Sequence, residues 1–184
     1  MQSPDEQTRE LVRELTDPFT LLSPNTGQKF GALWLNRGAA DTQGTKLLVS
    51  ANGFLANNTS TDDRIRGFFL ADAFPDHEIL IIDQPGHGMS DKYTPIQREA
   101  ALGRGDMSGV GQEQAAAIQT FIGEKIPSLG WLGLRANSFG SRQGLDVVKA
   151  TMQNPNAAPL DQFMALELPG TINRRFGIHV LFFG

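Results

Sequence analysis

Four short apolar runs set the terms for this chain: Lys46-Leu-Leu-Val-Ser50, Glu78-Ile-Leu-Ile-Ile-Asp83, Trp131 to Leu134, and Gln162-Phe-Met-Ala-Leu-Glu167. Runs of this length, apolar with little alternation, suit strands buried on both faces. Segments with helical spacing separate them. The first follows Ser60 or Thr61 as a cap, carries Asp62 and Asp63 where the helix dipole favours acid, and stops at Pro75. Its expected buried residues are Ile65, Phe68, Phe69 and Phe74. The second, Met107 to Ile126, lines up Val110, Ala117, Ile118, Phe121 and Ile122, and the third runs from Gln143 to Met152. Strands and helices alternating in this way predict the α/β class, with a mostly parallel sheet covered on both faces.

The remaining stretches fit around that frame. Residues 5–16 hold a short amphipathic helix at most. Phe19 to Leu22 and Phe30 to Leu35 read as a hairpin joined by Pro24-Asn25-Thr26-Gly27. Gly38 to Gly44 is a polar turn, residues 92–106 are a surface excursion without clear period, and 154–159 is a loop. With 184 residues the chain is expected to form a single domain, 1–184.

In such a sheet, ligands sit beyond the carboxyl ends of the strands. Three loops leave those ends: Asn52-Gly53-Phe54, Asp83 to Asp91, and Asn137-Ser138-Phe139. The last has strand before it and helix after it, the setting in which a serine is held out of the backbone as a nucleophile. Such a turn is crowded, so the residues two before and two after must be small; here they are Ala136 and Gly140. The plain alternative for Ser138 is a helix-capping hydroxyl.

Taken in order, these landmarks resemble the α/β-hydrolase family. Ser50-Ala-Asn-Gly-Phe54 stands where many members have His-Gly, Asp83-Gln-Pro-Gly-His-Gly-Met-Ser-Asp91 is close to the family's D-x-P-G-x-G-x-S turn, and the elbow follows at Ser138. The resemblance covers roughly residues 19–170, and the joint spacing is more specific than any one motif. It implies that Ser138 is the nucleophile, and that Phe139 together with Phe54 or Gly53 supplies the backbone N–H groups of an oxyanion hole. It also implies a structural turn built on Asp83, Gly86, His87 and Gly88.

A serine nucleophile needs a base, and the family order is Ser, acid, His. Three histidines are present: His77 at the amino end of a strand, His87 inside the Pro-Gly-His-Gly turn, and His179 in an apolar C-terminal stretch. None stands where the family places its catalytic histidine. Glu167 is a candidate acid at the end of its strand; the plain reading is a surface carboxylate near Arg174 or Arg175. The chain is therefore expected to be a hydrolase-type domain truncated after about the sixth strand, with 171–184 the start of a lid, and inactive by itself. The alternative is a non-catalytic binding or regulatory module on the same fold.

Composition bounds the partners. A net charge of −4 offers no electrostatic footprint for nucleic acid, and the absence of cysteine excludes thiolate metal ligands. No cofactor and no metal are expected, since the histidines lack ligand spacing. Gly103-Arg-Gly-Asp-Met-Ser-Gly109 is glycine-rich but has neither the spacing nor the preceding strand of a nucleotide loop. The expected partner is a small-molecule ester, thioester or similar apolar substrate, with no membrane contact and a cytoplasmic address, the first ten residues being too polar for a signal sequence. Oligomeric state is left open.

Overall fold

The computed structural model describes residues 17–41, 44–51, 57–104, 106–137 and 139–166. The elements in order are β1 (Phe19–Leu22), β2 (Lys29–Leu35), β3 (Ala40–Asp41), β4 (Gly44–Ala51), α1 (Thr61–Ala73), β5 (Glu78–Ile82), α2 (Pro95–Arg104), α3 (Ser108–Lys125), β6 (Leu129–Asn137), α4 (Phe139–Gln153) and β7 (Gln162–Leu166). The expected helix at 5–16 lies outside the described residues.

One sheet in the order β1-β2-β5-β4-β6-β7 organises them, with β3 paired to the start of β4. β5, β4, β6 and β7 run parallel, whereas β1 pairs antiparallel with β2, and β2 with β5. The parallel strands bury alternate residues on opposite faces. Leu48, Ile79 and Ile81 join Leu33, Leu35 and Ala71 on the α1 side. Leu47, Val49, Leu80, Ile82, Leu132 and Leu134 pack with Val110, Ile118, Phe121, Val147 and Val148 on the α3 and α4 side. Burial on both faces is why these strands read as continuous apolar runs. Among the described residues no helix is long and apolar enough to cross a membrane.

Three expectations need correction. α1 does not bury its aromatics: its buried residues are Gly67 and Ala71, and Phe69 is 71% exposed. The reason is close approach. A Cβ on Gly67 would lie 2.8 Å from Ile81 Cδ1, so the helix rests on its small residues and the larger ones flank the contact. Ile65, Phe68 and Phe74 are half-buried. Residues 92–104 do lie on the surface, yet 95–104 are helical. Thr94 and Gln97 form a reciprocal cap, Gln97 N–H to Thr94 Oγ1 at 3.2 Å and Thr94 N–H to Gln97 Oε1 at 2.9 Å, with Pro95 at the first helical position. Finally, the polar turn expected at 38–44 includes the two-residue strand β3, whose Asp41 pairs with Gly44 at the start of β4; Gly44 adopts a φ of 109° beside Ser128.

Candidate active site

The sheet register places the candidate loops at one level. Ala51, at the end of β4, pairs with Ile82 on one side and Ala136 on the other. The connections after β4, β5 and β6 therefore leave adjacent strands side by side, about 4.8 Å apart. The chain goes from β4 to β5 through α1 on one face, then from β5 to β6 through α3 on the other. β4 is thus where strand order reverses, the position at which open parallel sheets generally bind their ligands.

Ser138 is the single residue between β6, ending at Asn137, and α4, starting at Phe139. Ser138, Gly53, Phe54, Glu167 and His179 lie outside the described residues. What surrounds the serine position is described. α4 begins at Phe139, four residues earlier than its periodicity implied, and the first amides of a helix have no partner within it. The helix returns over the strand so tightly that a Cβ on Gly144 would lie 2.6 Å from Ala136 Cβ. Small size at 136 and 140 was the sequence requirement; Gly144 is a third such position, missed by reasoning confined to five residues. Its signal was the i, i+4 spacing from Gly140 on one helix face.

The middle loop is fixed from several sides. Gly86 and Gly88 adopt φ of 78° and 53°, where a side chain would be strained. Gly86 N–H donates to Asp91 O at 2.8 Å, His87 N–H to Gln84 O at 3.1 Å, and Ser90 N–H to His87 O at 2.9 Å. His87 is half-buried, with Nδ1 3.1 Å from Pro85 O. Asp91 Oδ2 accepts Lys29 N–H at 2.8 Å, tying the loop to β2. Asp83, fully buried, accepts the N–H of Asn58 at 2.9 and 3.1 Å. Both carboxylates thus reach beyond the turn and bond backbone on neighbouring segments.

Two half-buried titratable groups missed by the sequence reading, Arg135 and Tyr93, lie in β6 and just after this loop. Arg135, half-buried on β6, donates from Nη1 to Ser50 Oγ at 3.1 Å, and burial lowers its affinity for a proton. Tyr93, after the loop, has its hydroxyl pKa raised by burial. His77 belongs to the opposite edge. It precedes β5, its ring stands edge-on to Trp131 and Phe74 at 5.0 and 5.5 Å, and its Nδ1 is 2.7 Å from Asp76. The five residues of β5 put it roughly 15 Å from the carboxyl ends of the strands. Among the described residues no cluster of His, Asp and Glu could hold a metal ion.

No protein-family model matches the sequence, and no curated protein matches it. Solved structures do match in architecture. A cold-adapted esterase from an Arctic intertidal metagenomic library superposes with a TM-score of 0.57 at 18% identity, over 83% of this chain and 60% of that one. An esterase from Pyrococcus furiosus gives 0.52 at 14% identity, over 91% and 54%. An epoxide hydrolase from Vigna radiata gives 0.52 at 16% identity, over 86% and 40%. The chain spans 40 to 60% of the length of these structures.

Proposed function

We infer that this chain, which carries an α/β-hydrolase fold, is the nucleophile-bearing part of a serine hydrolase acting on an ester, thioester or similar small apolar substrate. The observation that carries the reading is the passage from β6 to α4 through Ser138 alone, at the level where the β4 and β5 loops also leave the sheet. In the proposed chemistry Ser138 Oγ attacks the acyl carbon. Backbone N–H groups of Phe139 and of Phe54 or Gly53 take the charge that forms on the carbonyl oxygen, a contribution worth about 3–4 kcal/mol per donor in comparable sites. Fluorophosphonate labelling tests this directly. Labelling that disappears in Ser138→Ala supports an activated serine; no labelling of the folded chain overturns catalysis by these residues alone.

A second reading, a binding or regulatory module on the same fold, is favoured by one observation. His77, 2.7 Å from Asp76, precedes β5 at the amino ends of the strands, the wrong edge of the sheet to serve Ser138. A folded chain that binds small apolar esters without labelling would select it.

A further inference from the structure

We propose that Arg135, oriented by Ser50, forms a subsite for an oxyanion, the carboxylate or phosphate group of a ligand, near the carboxyl end of β6. The site does not depend on the serine reading. Arg135 pairs in register with Ser50 of β4 and Met164 of β7, one residue before Ala136, which is level with the end of β4. That is the level at which open parallel sheets take their ligands, and β4 is where strand order reverses. Ser50 is 2% exposed, so its hydroxyl is a fixed acceptor, whereas Arg135 is half-buried.

A guanidinium carries its N–H donors in one fixed plane. Nη1 gives one to Ser50 Oγ at 3.1 Å, which sets the orientation of that plane. The opposite edge, Nε with Nη2, is the one that meets an oxyanion through two parallel hydrogen bonds. Among the described residues no acceptor pairs with that edge, and no carboxylate forms an ion pair with Arg135. Nor is the edge sealed from solvent. Burial alone lowers the pKa of the group, where a carboxylate beside it would raise it. A cation that loses water without gaining a counter-charge destabilises the fold, and a bound oxyanion offsets that cost. Neutral ligands give the same edge weaker bonds, and cations are repelled by it. Geometry and charge together select an oxyanion.

The experiment reads the Tm of the full chain in sodium phosphate, sodium acetate and sodium chloride at equal ionic strength. It compares the parent with Arg135→Met and with Arg98→Met, a control at an exposed arginine of α2. Phosphate or acetate should raise the parent Tm by about 3–6 °C over chloride, at about tenfold above half-saturation. Arg98→Met should keep that rise and Arg135→Met should lose it. A rise with acetate alone identifies a carboxylate ligand, with phosphate alone a phosphate group, and with both the chemistry they share. Equal rises in the parent and Arg135→Met are the general salting effect of these ions and overturn the site. No rise with either anion overturns it too. Where Arg135→Met fails to fold, titration of the parent with the same anions decides: a saturable shift of the Arg135 Nε–H resonance supports the site, and its absence overturns it.

Discussion

Arg135 Nη1 donates to Ser50 Oγ at 3.1 Å, joining β6 to β4 on the α1 side of the sheet. A half-buried guanidinium whose described hydrogen-bond partner is one hydroxyl gains little Coulombic return for the water it loses. Arg135→Met keeps most of the aliphatic packing. It should leave stability within about 1 kcal/mol of the parent or raise it, whereas Ser50→Ala should cost about 1 kcal/mol. Urea unfolding of the two variants decides; a loss above about 3 kcal/mol in Arg135→Met would reveal a carboxylate partner.

Gly144 faces Ala136 across the helix–strand contact with no room for a methyl group, and Phe163 Cε2 would lie 3.4 Å away. Gly144→Ala should destabilise by about 1–3 kcal/mol although alanine is the better helix former. A neutral or stabilising effect in thermal unfolding would show that α4 stands further from β6.

Phe69 and Phe163 should behave oppositely. Phe69 is 71% exposed and Phe163 1% exposed. Phe69→Ser should change stability by no more than about 0.5 kcal/mol, and Phe163→Ala should cost about 3–5 kcal/mol. Chemical denaturation of both variants tests the surface assigned to each face of the fold.

The Asp76 carboxyl accepts Lys46 Nζ at 2.9 Å and has its pKa lowered from 3.8 to about 2, first by that bond and then by the one to His77. A carboxyl whose folded pKa is depressed adds stability above its unfolded pKa and loses it as pH falls through the folded one. Stability should therefore decline between about pH 4 and pH 2 more steeply in the parent than in Asp76→Asn. Acid titration of the unfolding midpoint reads the difference; parallel curves would mean that the bond does not persist in solution.

The cap on α2 predicts a local effect. Removing it in Thr94→Ala should cost about 1 kcal/mol and speed amide exchange over Pro95–Arg104, leaving β5 protected. Gln97 also exchanges hydrogen bonds with Gln28, Nε2 to Oε1 at 2.8 Å, so Gln97→Ala should loosen the β1–β2 turn as well. Exchange spreading equally through β5 would contradict a local role.

What the sequence made legible follows from what each residue does. Leu47, Leu48, Ile79 and Leu80 are buried whichever face they take, so their strands stand out by composition alone. The helix 108–125 was equally plain, since Val110, Ile118 and Phe121 recur on one buried side. α1 misled because Gly67 makes the contact, and a hydrophobic period weighs Phe68 and Phe69 more heavily than a residue without a side chain. α2 was hidden because none of its residues is buried; its signal was the Thr94–Gln97 cap, which is chemical rather than periodic. Of the three loops expected at the site, Asp83 to Asp91 is described throughout, and its glycine turn was legible from the Pro-Gly-His-Gly order. The carboxylate of Asp83 reaching Asn58, 25 positions earlier in the chain, was not, because a tertiary hydrogen bond leaves no period to read.

β4 lies between β5 and β6, so its two neighbours become available at very different times. β5 can add soon after α1, but the partner for the other edge begins at Leu129, roughly eighty residues later, which at ribosomal speeds is a wait of about 4–16 s. Throughout that interval a strand whose last five residues are all buried in the finished sheet offers an open edge to any other chain nearby. The order in which this protein is synthesised thus leaves β4 paired on one edge only until β6 arrives, and slowing translation between residues 51 and 129 should lower its soluble yield.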